Sequence, residues 1–244
     1  MPRLLAIGDI HGCFDALASL SEVVPFRTDD TFILLGDLVD RGPDSKAVVD
    51  WAIEQCLEDR CVVVRGNHEI MMLEALAGRM PMQHWLQCGG RATVDSYRVG
   101  EGRRSHVEVP DAHRWFLERE LKPYYETEDY IFVHATVEPD VPLADQSESA
   151  LYWERFDWVE PHSSGKTIIC GHTAQKAGVP WNKGHAVCID TWVYGDGWLT
   201  CLEPETGRFW QANQRGETRI GRLGPADAGA TSGEFHPWRA ESES

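Results

Sequence analysis

Five short strings carry residues suited to holding cations and moving protons. They are Gly8-Asp9-Ile10-His11-Gly12, Gly36-Asp37-Leu38-Val39-Asp40-Arg41-Gly42, Arg65-Gly66-Asn67-His68-Glu69, His134-Ala135 and Gly171-His172-Thr173. Their donors are carboxylate, amide and imidazole, with no thiolate. That set suits Mn²⁺, Fe or Zn²⁺ better than a soft metal. Glycines inside the strings let the backbone turn sharply and come close to a ligand. Any one of Asp9, Asp37 or Asn67 alone reads as a turn residue, and a lone histidine reads as a hydrogen-bonded core residue. Placed together at equivalent points of successive elements, they read as a metal centre.

Each string follows an apolar run: Leu4 to Ile7, Thr31 to Leu35, Cys61 to Val64, Tyr130 to Val133 and Thr167 to Cys170. These runs are aliphatic and β-branched and do not alternate with polar residues, as strands buried on both faces do not. Helical spacing fills the first gaps, over Phe14 to Val24, Ser45 to Leu57 and about His68 to Ala77. Strand–helix–strand alternation predicts parallel pairing with right-handed crossovers. The carboxyl ends of parallel strands lie along one edge, where such folds bind ligands, so the five strings would converge there. Pro81 to Lys122, with Gly89-Gly90 and a helical stretch from about Asp111 to Leu121, predicts a helical insertion over the sheet. Ala186 to Ile189, Gly197 to Leu202 and Arg208 to Gln211 alternate and predict antiparallel strands of a second sheet. From about Gly221 the composition turns to Gly, Ala, Ser, Glu and Pro, which predicts a mobile tail. One catalytic domain is therefore expected over 1–220, with the insertion at about 81–122 and the tail over 221–244.

The chain has 244 residues, 42% of them hydrophobic and 25% charged, enough to bury a core without staples. A formal net charge of −16 is the wrong sign for a nucleic-acid polymer or an anionic membrane surface. No run approaches the roughly 18 apolar residues of a membrane span, and the N-terminal apolar stretch is too short for a signal-peptide core. Seven cysteines, an odd number with no CxxC pair, predict reduced thiols in a cytoplasmic protein rather than a disulfide framework.

In their order, GDIHG, GDLVDRG, RGNHE, a single histidine after a strand, and GHT resemble the phosphoprotein-phosphatase branch of the metallophosphoesterases. Within it the chain is similar to small bacterial serine/threonine phosphatases and to diadenosine tetraphosphate hydrolases. The resemblance implies an α/β fold: two mixed β-sheets packed face to face, with helices outside. It implies two divalent metal ions, Mn²⁺ first, with Fe and Zn²⁺ as alternatives. Asp9 and His11 would hold the first, Asn67, His134 and His172 the second, and Asp37 both. One carboxylate can span two cations about 3.5–4 Å apart. His68 is implied as the acid that protonates the leaving oxygen, and Asp40 as the partner that orients it and favours its protonated form. Arg41 and Arg155, with Asn67, would meet the substrate's phosphoryl oxygens, which suits the planar fork of arginine. Arg155 rests on a shorter match, in Tyr152-Trp153-Glu154-Arg155.

The activity so implied is hydrolysis of phosphomonoesters, phosphoserine and phosphothreonine first, by in-line attack of a hydroxide bridging the two metals. The partner is then a phosphorylated protein, peptide or small molecule. A hydrolase of diadenosine polyphosphates shares the same site chemistry and is the alternative. A non-catalytic phosphate-binding module comes third, because it has no use for His68 and Asp40. Two positions depart from the family pattern. Thr136 follows His134-Ala135, and Trp192 ends Ile189-Asp190-Thr191-Trp192, each where the family usually has glycine. Facing the site, either side chain would narrow it or alter its substrate. Cys13, just after the first string, is placed near the metals, as a packing residue or an oxidation-sensitive thiol. Trp85 and Trp181 are candidates to line a substrate groove.

Overall fold

Period-two burial along the apolar runs explains the layers of the computed structural model, which describes residues 3–57, 60–100 and 106–226. Strands β1 (Leu4–Ile7), β2 (Thr31–Leu34) and β3 (Cys61–Val63) pair in parallel. Leu5, Ile7, Phe32 and Leu34 point to one face, and Ala6, Ile33 and Leu35 to the other. The first face is covered by α1 (Phe14–Val23) and α2 (Ser45–Leu57). The second meets Phe132, Ile169 and Val187 of another sheet. That sheet holds, in spatial order, β6 (Tyr124–Glu126), β7 (Tyr130–Val133), β8 (Thr167–Cys170), β10 (Ala186–Cys188) and β9 (Trp181–Asn182). Its outer face packs under α7 (Glu148–Tyr152) and the turn around Phe156. The result is the expected α/β sandwich, helix–sheet–sheet–helix. Burying each such Ile, Leu or Phe contributes about 1.5–3 kcal/mol.

The late strands are distributed differently from the expectation. β10 lies parallel to β8 in the second sheet. β11 (Leu199–Glu203) and β12 (Arg208–Ala212) instead extend the first sheet, with β11 antiparallel to β1. The alternation in β11 does not separate core from solvent, because every residue of this strand is buried. Leu199 and Cys201 face the helices, and Leu202 faces the other sheet. β13 (Thr218–Arg222) closes the edge beside β12. The segment expected as a tail therefore begins inside a strand, and its residues 227–244 lie outside the described residues.

Residues of the insertion form α4 (Met82–Trp85), a wide turn over Leu86–Gly90, and α5 (Arg91–Ser96). Gly89 at φ 119° kinks the chain where the two helices meet. Two short strands follow, β4 (Arg98–Val99) and β5 (His106–Val107), paired antiparallel where the expected insertion is helical. Next comes α6 (Asp111–Arg119), packed on α2 and on α3 (Asn67–Leu76). Seven free cysteines lie in or beside the core. Among the described residues no helix is long and apolar enough to cross a membrane.

Candidate functional site

β1, β2, β3, β7 and β8 all end at the same edge of the sandwich, and the five strings meet there. The chain reaches that meeting point through strained backbone. Six non-glycine residues among those described have positive φ: His11 (49°), Asp37 (48°), Asp40 (73°), Arg41 (69°), His172 (63°) and Trp192 (65°). A left-handed residue costs about 1–2 kcal/mol when it carries a Cβ, and such residues cluster where function requires them. Two glycines matter for a different reason. A Cβ on Gly171 would collide with Asp9 Oδ1, and one on Gly66 with Asp37 Oδ1.

Asp37 lies between two sets of donors. His11, Asp37 and His68 form one group whose ligand atoms lie within 4.8 Å of one another, and Asp37, His134 and His172 form a second. His11 Nε2 stands 3.5 Å from Asp37 Oδ2, and His134 Nε2 stands 3.5 Å from Asp37 Oδ1. Backbone carbonyls set both rings. His11 Nδ1 donates to Val39 O at 3.0 Å, and His134 Nδ1 to Leu35 O at 2.8 Å. Each therefore turns an Nε2 lone pair inward, the arrangement that orients metal-ligating histidines. His134 Nε2 then faces Asn67 Oδ1 at 3.0 Å and His172 Nδ1 at 3.2 Å. Asp9 accepts the His172 N–H on both oxygens, at 3.1 and 3.0 Å, and lies 4.0 Å from His11.

The electrostatics fit the same conclusion. Burial, then the neighbouring Asp190 and Asp37, push the Asp9 carboxyl well above its ordinary range. Burial raises Asp190 to about 6, although the Trp192 N–H opposes this. Its Oδ2 is buried without a hydrogen-bond partner. Burial alone would raise Asp37 too, but the surrounding His134, His68, His11 and His172 hold it well below the usual carboxylate range. Burial lowers His11 and His134, and lowers His172 to about 4. Neutral imidazoles, converging lone pairs and buried carboxylates with an orphan oxygen are what a site for divalent cations requires.

The His68 side of the site is hydrogen-bonded within the protein. His68 Nδ1 donates to Asp40 Oδ2 at 2.7 Å. Asp40, fully buried, also accepts from Trp85 Nε1 at 2.9 Å and from Thr93 Oγ1 at 2.7 Å. Burial lowers His68, but the Asp37 and Asp40 carboxylates outweigh it and raise its pKa overall. Glu69 supports the loop below. Its carboxylate accepts N–H bonds from Asp37 (3.0 Å), Leu38 (2.7 Å) and Gly66 (2.9 Å). Burial and then Asp37 raise it to about 7.

Trp85, Thr93 and Asp190 were not found as site residues by sequence reasoning. Trp85 is 1% exposed and grips Asp40, so it does not line a substrate groove. Only the glycine pair Gly89-Gly90 signalled this contact. Gly89 O accepts the Arg41 N–H at 3.1 Å, and Gly90 lies flat against the Trp85 ring.

Arg41 reaches the site, with Nη1 2.7 Å from His11 Nε2 and its guanidinium 4.4 Å above the Tyr194 ring. Arg155 is exposed and pairs with Asp157 at 3.0 Å, although the Trp153 carbonyl two residues earlier meets His172 Nε2 at 3.2 Å. Thr136 is buried, with its hydroxyl 3.5 Å from the Val137 carbonyl. Trp192 is half-buried beside Tyr194. Cys13 is buried, and burial pushes its thiol up to about 12, which keeps it protonated. That favours packing over oxidation sensitivity.

Residues 2–195 match the model of a family described as calcineurin-like phosphoesterase. Among curated relatives, the symmetrical bis(5'-nucleosyl)-tetraphosphatase of Nitrosomonas europaea is 30% identical over 161 residues, covering 62% of this chain and 53% of that protein. The same enzyme of Glaesserella parasuis is 31% identical over 157 residues, with the same two coverages of 62% and 53%. The chain thus spans about half the length of the curated relatives it matches. A solved structure of a candidate diadenosine tetraphosphatase superposes with a TM-score of 0.62 at 21% identity, covering 91% of this chain and 96% of that one. A cold-active protein-tyrosine phosphatase of a psychrophilic Shewanella superposes with a TM-score of 0.55 at 16% identity, covering 90% and 80%. At these identities the two structures speak to the fold alone.

Proposed function

Because this chain belongs to the calcineurin-like phosphoesterase family, we propose that it hydrolyses the phosphoanhydride of a dinucleoside polyphosphate. The observation that carries the reading is the 30% identity over 161 residues to a symmetrical bis(5'-nucleosyl)-tetraphosphatase. It reverses the order that the motifs alone gave, in which phosphoserine and phosphothreonine came first. The catalytic unit, expected over 1–220, is taken to run to the end of β13 at Arg222, and the free cysteines favour a cytoplasmic setting.

Asp9 and His11 are assigned to one divalent cation, Asn67, His134 and His172 to a second, and Asp37 to both. The donor set puts Mn²⁺ ahead of Fe and Zn²⁺. When bound, such a pair offsets phosphoryl charge and lowers the pKa of water at the site. The remaining work falls to the chain. His68 has its Nδ1 committed to Asp40, so Nε2 is the atom that carries a proton to the departing phosphate oxygen. The Asp37 and Asp40 carboxylates favour the protonated ring that this step needs. Arg41, its guanidinium 4.4 Å over the Tyr194 ring, would present its fork to the phosphoryl oxygens. Arg155 is the second clamp, and it must leave Asp157 to act.

The test compares ADP release from diadenosine tetraphosphate with phosphate release from a phosphoserine peptide, both with Mn²⁺. A kcat/KM at least tenfold higher on the dinucleotide is expected. A preference for the phosphopeptide would restore the protein-phosphatase reading. Leaving groups give a second check. ADP leaves as a weak base and a serine alkoxide as a strong one, so His68→Asn should cost less on the anhydride than on the ester.

A further inference from the structure

Five of the six residues held at positive φ are His11, Asp37, Asp40, Arg41 and His172, all at the candidate site. Trp192, at φ 65°, is the sixth and has no role in the chemistry above. Glycine would take that backbone without strain, and the half-buried indole gains only part of the burial that could offset it. A chain of contacts links it to the site. Tyr194 meets His11 edge-on at 4.9 Å, and Trp192 meets Tyr194 edge-on at 6.3 Å. Lys176, exposed to solvent, holds its ammonium 5.5 Å from the centre of the Trp192 ring. The indole is also fixed in place. A Cβ on Gly195 would collide with its Cε2 and Cζ2, so the ring lies against bare backbone, and the main chain that carries it is held by the Trp192 backbone N–H donating to Asp190 Oδ1 at 3.0 Å.

We propose that Trp192 and Lys176 form a nucleoside subsite beside the phosphoryl site, the indole stacking a nucleobase and the lysine meeting the phosphates attached to it. This rests on the dinucleoside polyphosphate reading and names the part of that substrate the ledge receives. The chemistry suits each group. Every nucleobase has a π-face, and stacking on an aromatic side chain tolerates any of them. Lys176, on a flexible stem, can swing from the indole to a phosphate and uncover the ring for the base. Arg41 on Tyr194 repeats the same cation-on-aromatic pairing nearer the reacting phosphorus. A phosphopeptide would supply a ring to this ledge only where an aromatic residue flanks the phosphorylated one.

The test separates the ledge from the reaction by measuring binding. Calorimetry compares ADP with pyrophosphate on the wild-type protein, Trp192→Gly, Trp192→Phe and Lys176→Ala. Wild type is expected to bind ADP about tenfold more tightly than pyrophosphate, the scale of one stacked base. Trp192→Gly should lose that preference, and Trp192→Phe should keep most of it. Lys176→Ala should weaken both ligands. Glycine relieves the strained backbone, so Trp192→Gly should melt no lower than wild type, which removes misfolding as an explanation. The proposal is overturned if wild type shows no preference for ADP, or if Trp192→Gly retains it. Turnover of diadenosine tetraphosphate by wild type is scored separately. Its absence alongside an ADP preference would sink the dinucleotide reading and leave the ledge standing as a nucleotide subsite.

Discussion

At the amino ends of β1 and β2, Arg3 donates to both oxygens of Asp30, at 2.9 and 2.6 Å, and also to Pro25 O at 2.8 Å. Asp30 accepts a further bond from the Arg27 N–H at 2.7 Å, and the Thr31 N–H donates to Arg3 O at 2.9 Å. None of these residues is among those held at positive φ. At the carboxyl ends of the same two strands, Asp9 and Asp37 stand beside Asp190, whose Oδ2 has no partner, and the backbone is left-handed at His11 and Asp37. Both ends bury carboxylates. One meets its carboxylate with a guanidinium and backbone N–H groups, and the other leaves Asp9 and Asp190 raised above the usual carboxylate range, with one oxygen unpartnered. The first arrangement stabilises the fold. The second gives up stability to keep a binding site ready, as function commonly demands.

The sharpest way to break this comparison is Asp37→Asn. In the proposed function Asp37 would be shared by both metals, so turnover should fall on the order of a thousandfold or more. The histidines that hold Asp37 ionised also favour its charge in the folded protein, so the metal-stripped variant should lose some stability near neutral pH. Turnover within tenfold of wild type would remove Asp37 from the site. His68→Asn should cost about a hundredfold in turnover on a phosphoester and leave metal content, measured by elemental analysis, nearly intact. Equal activity in that variant would remove His68 from the mechanism.

A smaller effect probes the grip on Asp40. Thr93→Val and Trp85→Phe each remove one donor to a buried carboxylate and preserve shape. Each should lower kcat about tenfold with little change in KM, and Thr93→Ser should recover most of it. The pH profile gives a further readout. His68 must be protonated to act, so activity falls as pH rises through its raised pKa. Asp40→Asn removes one of the two charges that raise it, so the alkaline limb should move to lower pH. An unmoved limb would mean that another group sets it.

Much of the site was legible because each string sits where a strand ends, so local order in the chain becomes proximity in space. Glu69 is the partial case. It belongs to a recognised string, but its bonds to the N–H groups of Asp37 and Leu38 depend on how α3 meets the loop after β2. Trp85 and Thr93 lie 45 and 53 residues from Asp40, in an insertion with no spacing rule to tie it to the site. The sheet membership of β11 was misread for a related reason. Its neighbours are β1 and β12, and a fully buried strand offers no polar face to show which sheet it joins.

The mildest prediction concerns pH and stability, and the two ends should respond with opposite signs. Burial favours the neutral form of Asp30, but the hydrogen bond and charge of Arg3 outweigh it, and its pKa is lowered in the folded protein. Its contribution is then fully present above the unfolded value of about 3.9 and is lost as pH falls through the lower folded value. Asp190 is raised to about 6, so between about 4 and 6 the folded state holds a proton that the unfolded state has released. Its contribution is lost as pH rises through that window. Arg3→Ala should cost about 2 kcal/mol near neutral pH, a shift of about 4–8 °C in Tm for a chain of this size. That difference should shrink below about pH 4, where Asp30 takes up its proton in the unfolded chain. Asp190→Asn in metal-stripped protein should show the reverse, little change near pH 4 and a gain relative to wild type above about pH 6. Urea denaturation of both variants across that range measures both signs. If Asp190→Asn lost stability with rising pH as wild type does, the site-end carboxylates would be as fully compensated as Asp30, and the contrast between the two ends would collapse.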